Sequence, residues 1–264
     1  MPRACGFPGA EIAREARFTL LQALRGLVGA SAVLLPCPAR AMHLADGVLP
    51  FRWALGLTFA ALPFTLIALA VHRRRASADP RAKPLVAMVA AAIFLISAMP
   101  IPVPFAGTCS HPCGTGLATV LVGPWMTVLV SLVALLLQAI LLAHGGLTTL
   151  GADLLSMGVA GAFAGYGAFH LLRRARAPLP VAAFGAGLLS DWATYAVTAL
   201  ELAGALHGPR SFFKALVAIV LAFVPTQLPL GILEALLTAG AVGFVVHRRP
   251  DLARHLHLTG EEAR

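Results

Sequence analysis

Apolar residues run along this chain in blocks of roughly twenty, separated by short basic or Pro/Gly-rich interruptions. A block of that length crosses a bilayer as a helix. The pattern predicts crossings at 53–71, 84–99, about 108–122, 124–143, 149–172, 179–206 and near 226–247. Ser211–Val224 reads as an apolar lead-in to the last, broken at Pro225 and Pro229. The third crossing is unusual because the stretch Pro100–Gly116 is too rich in Pro and Gly for a regular helix. Irregular backbone at membrane depth is tolerated only where it is buried in protein or lines a cavity. The expected fold is an all-α polytopic membrane protein with about seven transmembrane helices after a cleaved or untranslated N-terminal segment.

Composition agrees: 59% of residues are hydrophobic and 12% charged, with mean hydropathy +0.84. Soluble domains carry about twice that share of charge. The net charge of +9 sits in short runs between the blocks, which is how a membrane protein sets its orientation. It does not resemble the continuous basic surface of a nucleic-acid groove, so no nucleic-acid partner is expected. His72-Arg73-Arg74-Arg75, with Arg81 and Lys83, forms the strongest basic loop and is placed in the cytoplasm. If 108–122 crosses, Arg173-Arg174-Ala175-Arg176 and His247-Arg248-Arg249 fall on that same side. This puts Met42 outside and the C-terminus inside a bacterial cell membrane. Residues 1–41 carry Arg3, Arg14 and Arg17, an apolar run at Leu27–Leu35 and then Ala39-Arg40-Ala41, the order of a secretory signal. The expected divisions are 1–41 as signal or untranslated segment, 42–249 as membrane-embedded domain and 250–264 as cytoplasmic tail. Four cysteines make no disulfide scaffold. The chain has no G-x-x-x-x-G-K-[ST] signature and would not hydrolyse ATP by itself.

Candidate chemistry begins at Met42-His43. A free amine on Met42, the amide nitrogen of His43 and its imidazole can close two chelate rings around one metal. Three nitrogens in a plane suit tetragonal Ni(II), Cu(II) or Co(II). His111, in the Pro/Gly-rich loop, is the best-placed fourth nitrogen, and His144 in a glycine-rich turn can orient a ligand or close the site. Asp46 can offset the metal's charge, hydrogen-bond an imidazole or cap the turn at Gly47. Cys109 and Cys113 flank His111 and can bind a soft metal, form a disulfide or simply pack. Asp191, Glu201 and Glu234 lie inside spans. They read as helix–helix hydrogen bonds, since no motif pairs them with a base. Ala87 and Ala91, with Ala90 and Ala92, form a small-residue surface that lets a partner helix approach. Two other classes compete: a membrane thiol oxidoreductase using Cys109 and Cys113, and a haem-binding cytochrome pairing His144 with His170. The predicted topology puts those two histidines on opposite sides of the membrane.

Several stretches together resemble the CbiM/NikM family, the substrate-binding membrane component of energy-coupling-factor cobalt and nickel importers. They are Met42-His43 with Asp46-Gly47, PIPVPFAGTCSHPCGTGL, GPW at 123–125, QAILLAHGGLTTLGAD at 138–153 and LPLGILEALLT at 228–238. The resemblance covers most of 42–249. It implies planar metal binding by the Met42 amine, the His43 amide and imidazole, and the loop histidine His111. It implies Co(II) or Ni(II) as transported substrate, with no prosthetic group. The implied partners are a coupling transmembrane subunit, two cytoplasmic ATPase subunits and a small auxiliary membrane protein, with Ala87 and Ala91 on the docking face. The 41 residues ahead of Met42 and the cysteines at 109 and 113 depart from many members.

Overall fold

The computed structural model describes residues 44–99, 101–103, 108–209, 211–256 and 258, with the side chains of 101–103, 108 and 109 excepted. The expectations placed on residues 1–41, on Met42 and His43 and on the Cys109 side chain therefore lie outside the described residues. The helices are α1 (Phe51–Ala78), α2 (Ala82–Ser97), α3 (Thr115–Val122), α4 (Pro124–Leu141), α5 (Leu150–Arg174), α6 (Leu179–Leu206), α7 (Phe212–Arg248) and α8 (Pro250–His255). A short antiparallel pair, β1 (Ile101–Val103) with β2 (Thr108–Ser110), interrupts an otherwise helical chain. Helices α1, α4, α5 and α7 are each long and apolar enough to cross a membrane. Large apolar side chains such as Phe59, Leu66, Leu141, Leu221 and Phe244 stand exposed along them, as lipid-facing residues do.

Among the described residues, seven helices of eight residues or more stand at the seven predicted places, but two of those predictions need correction. The segment 108–122 is not a helical span. Only Thr115–Val122 is helical, eight residues long, which covers ~12 Å at about 1.5 Å per residue against a hydrocarbon core of roughly 30 Å. Residues 111–114 ahead of it are irregular and buried. The last crossing is likewise not a helix beginning near 226, because Phe212–Arg248 is one helix of 37 residues that passes through Pro225 and Pro229. Proline removes a backbone donor, and membrane helices accept it where side chains re-satisfy the backbone. Here the prolines withhold the N–H groups that would reach the Leu221 and Pro225 carbonyls; nearby, the Thr226 hydroxyl donates to the Phe223 carbonyl at 3.0 Å and the Trp192 indole to the Gln227 carbonyl at 3.2 Å.

The short helix α3 is the centre of the molecule. Thr115, Gly116, Ala118, Thr119, Val120 and Val122 are all buried, and charged side chains from distant elements hold both its ends. At the N-terminal end, Glu234 of α7 accepts from the Cys113 amide at 2.6 Å and the Gly114 amide at 2.9 Å. At the C-terminal end, the Arg75 guanidinium of α1 donates to the Val122 carbonyl at 2.7 Å. Anion at the N-terminus and cation at the C-terminus match the helix dipole. Close approach to α6 requires glycine: a Cβ on Gly116 would stand 2.5 Å from the Gly187 Cα.

Contacts among the loops sort the molecule into two ends. Arg75, Asp79, Arg173, Arg174 and His255 gather around one cavity, and His255 pairs with Asp79 at 3.0 Å. Leu44, Asp46, Thr148 and Asp153 meet at the other end.

Candidate metal centre

The imidazoles of His111 and His144 lie side by side, with ring centroids 5.4 Å apart and the rings inclined at 63°. Only 2% of His111 and 9% of His144 is exposed. Burial lowers the proton affinity of His144, which favours the neutral ring. His111 Nδ1 is 3.0 Å from the Pro112 carbonyl oxygen. A carbonyl only accepts, so Nδ1 carries the proton and Nε2 carries the lone pair. Histidine ligands to metals are oriented in this way, through the second ring nitrogen.

Three side chains from two helices fix the backbone that carries His111. The Tyr195 hydroxyl of α6 donates to the His111 carbonyl at 2.9 Å. Gln227 of α7 donates to the Ser110 hydroxyl, and Glu234 takes the two amides that follow at 113 and 114. His144 sits on a tight turn with Ala143 and Gly145 at positive φ, and its amide donates to the Gln138 carbonyl at 3.1 Å. The Gln138 side chain in turn donates to Ser97 at 2.7 Å.

The residue that follows His43 is anchored at the same place. The Leu44 amide donates to Asp153 Oδ1 at 2.8 Å, and the Thr149 hydroxyl donates to the Leu44 carbonyl. Asp153 and His111 line one small cavity of about 10 Å³ together with Cys113, Ser156, Met157 and Tyr195. The wall carrying Asp153 and Ser156 is where α5 widens into a π-helical turn, Leu154–Gly161, a distortion frequent at functional sites.

Among the described residues, Asp46 bonds across to Thr148. Its carboxylate accepts from the Thr148 amide at 2.9 Å and from the Thr148 hydroxyl. Those bonds hold its carboxyl below the usual carboxylate range. Gly146 must be glycine here, because a Cβ would reach 2.5 Å from Asp46 Oδ1.

Cys113 lines the same small cavity as His111. It is a free, fully buried thiol with Sγ 3.9 Å from Asp191 Oδ1. Cys113 is therefore not in a disulfide, and a buried thiol facing carboxylates is a poor redox nucleophile. The haem pairing also fails, since His144 precedes α5 and His170 lies near its far end, about twenty helical residues or ~30 Å away. The in-span acids divide. Glu234 of α7 bonds the amides at the N-terminus of α3 and meets Asp191 of α6, so these two acids do link helices, and with Cys113 they form a buried cluster. Glu201 is 7% exposed and its carboxylate has no hydrogen-bond partner among the described residues. Ala87 and Ala91 are exposed on α2 with Met88 and Leu95, whereas Ala90 turns inward.

Sequence reasoning missed Asp153, Tyr195 and the grip of Glu234. Each acts on a residue about 80 to 120 positions away. The ionisable groups inside apolar helices gave a signal, but nothing local named their partners.

The helical architecture, lipid-facing surface and buried histidine pair define a multi-pass membrane transport component. The model of the family described as the cobalt uptake substrate-specific transmembrane region, CbiM, matches residues 43–252, and the chain belongs to that family. A relative from Sorangium cellulosum, named cobalt transport protein CbiM, is 62% identical over 217 residues, covering 82% of this chain and 96% of its own. A protein of the same name from Geobacter sulfurreducens is 54% identical, over 89% of this chain and 68% of its own. The crystal structure of a transition metal transporter superposes with TM-score 0.69 at 26% identity, covering 83% of this chain and all of that one. Like these homologues, the chain is a transport component and not an enzyme.

Proposed function

We propose that this chain captures cobalt, as Co(II), or nickel, as Ni(II), outside the cell and delivers it through an energy-coupling-factor type importer. The Met42 amine, the His43 amide and imidazole, and His111 Nε2 form the site, and His144 orients or covers it. One observation carries the reading. Leu44, which follows His43 directly, is bonded to Asp153, and Asp153 shares a cavity wall with His111. The His111 tautomer supports the same assignment, because it turns a lone pair, not a proton, away from the Pro112 carbonyl.

The amine can bind only if the mature chain starts at Met42, with residues 1–41 removed or never made. Selectivity then rests on planar geometry, since affinity alone favours Cu(II) over Ni(II) and Co(II). A coupling membrane subunit, two ATPase subunits and a small auxiliary membrane protein would supply the drive, and the exposed face of Ala87 and Ala91 on α2 suits close helix docking. Cys109 lies two residues before His111 and can tune the choice of metal.

The test is an intact mass of the membrane-purified chain followed by calorimetric titration with Co(II). A chain starting at Met42 should bind one Co(II), and either His111→Ala or one residue added ahead of Met42 should abolish binding. Tight binding that survives both changes would refute the site.

A further inference from the structure

The shortness of α3 leaves a cavity of about 550 Å³ beneath its C-terminal end, at the end of the molecule opposite the histidines. Its lining is strongly cationic. Arg75, Arg173 and Arg174 contribute three guanidinium groups. The only carboxylate among the described lining residues, Asp79, is already bonded by His255 at 3.0 Å. Arg75 donates one N–H to the Val122 carbonyl, which offsets the negative end of α3. Arg173 donates Nη1 to the Ala177 carbonyl at 3.0 Å, while its Nε is buried with no hydrogen-bond partner among the described residues.

One further feature favours a negative charge. Helix α4 begins at the cavity, where Gly123 lines it, and its N-terminus has no side-chain cap. An uncapped helix N-terminus carries positive partial charge and suits a phosphate group. The start of α2 is already closed, because the Asp79 carboxylate accepts from the Arg81 amide at 2.9 Å. The rest of the wall is apolar, formed by Leu85, Val86, Leu121 and Phe169.

We propose that this cavity binds a phosphate-bearing anion, with Arg173 and Arg174 as its principal contacts. An arginine fork matches phosphate oxygens two at a time. The apolar wall beside the guanidinium groups fits the phosphodiester headgroup of an anionic lipid, with its acyl chains along Leu85 and Phe169; free phosphate shares the headgroup chemistry without the chains. The proposal stands on this cavity alone and is independent of which metal the opposite end carries.

The experiment uses the purified full chain in phosphatidylcholine nanodiscs, with thermal unfolding and native mass spectrometry as readouts. Replacing part of the lipid by phosphatidylglycerol should raise Tm by about 2–4 °C, the shift that a modest binding energy gives in a domain of this size. Phosphatidylglycerol should also stay bound in the mass spectrum. Inorganic phosphate in pure phosphatidylcholine is the second arm. A rise with phosphatidylglycerol alone supports the lipid headgroup as occupant; a rise with both supports the anion site with free phosphate able to fill it. R173Q/R174Q should unfold like the parent in phosphatidylcholine and lose both the shift and the retained lipid. Should that double variant not fold, R174Q alone should show reduced lipid retention. No response to either ligand, or an undiminished response in the arginine variants, would overturn the proposal.

Discussion

At the scale of single residues, the candidate centre is defined by what holds each nitrogen in place. His144 touches His111 ring to ring and is held by a turn that two positive-φ residues make possible. Residues that orient a metal ligand typically contribute a factor of about 10–100 in affinity. His144→Ala should therefore weaken Co(II) binding by about that factor while one ion is still bound, in contrast to the complete loss expected for His111→Ala; calorimetry distinguishes the two. Asp46 makes a different prediction. Its carboxyl is held below the ordinary carboxylate value by the Thr148 hydroxyl and amide. A group with a depressed folded pKa stabilises the fold above its unfolded value and loses that contribution only as pH falls through the lower folded value. The tie between Asp46 and Thr148 thus persists at neutral and mildly acidic pH. Cobalt affinity should nonetheless fall as pH drops, because protons would compete with the metal for the proposed amine, amide and imidazole ligands. Titrations across this range should give parallel slopes for wild type and Asp46→Asn. A flat profile for the variant would assign the pH dependence to Asp46.

At the scale of elements, α3 and its anchors set the position of His111. Glu234 accepts two buried amides, and leaving a buried donor unsatisfied costs about 1–3 kcal/mol. Glu234→Ala should lower the unfolding temperature sharply and Glu234→Gln less, since an amide oxygen can still accept. Both should weaken metal binding, read by the same titration. Gly116→Ala tests the packing of α3 on α6. The new methyl would meet backbone atoms of Gly187 and Ala186 that cannot move aside as a side chain can, so a loss of about 1–3 kcal/mol is expected from overpacking, measured as a fall in Tm. These elements also mark what the sequence made legible. Residues 179–206 were read at the boundaries α6 adopts, because an uninterrupted apolar block needs only length. The Pro/Gly content of 100–116 announced an irregular segment, and His111 within it stood out as a polar group with no helix to belong to. The shortness of α3 was legible too, since the apolar run at Leu117–Val122 is brief and Gly123-Pro124-Trp125 breaks it; what misled was basic-loop parity, which asked for a crossing from about 108. The continuity of α7 through Pro225 and Pro229 was hidden, because proline reads locally as a helix break while membrane helices tolerate it. The anchoring of Leu44 by Asp153 spans 109 positions, and no local pattern encodes it.

At the scale of the whole molecule, charge and contact divide the protein into two unlike ends. The basic segments that close α1 and α5 and follow α7 converge, with Arg75, Arg173, Arg174 and His255 lining one cavity. The opposite end holds the histidine pair and the Leu44 anchor and is poor in Lys and Arg. Lys and Arg stay on the cytoplasmic side of short loops, so the cavity end should face inward and the histidines outward. Ser77 and Ser211 test this directly, because both are exposed and lie at opposite ends, after the turn of basic residues in α1 and just before α7. In intact cells, Ser211→Cys should react with a membrane-impermeant maleimide and Ser77→Cys should react only after the membrane is opened, with the unmodified chain as the blank. The reverse pattern would put the histidines in the cytoplasm, where metal capture from outside is impossible, and would leave the basic cavity facing a leaflet from which the positive-inside tendency should exclude it.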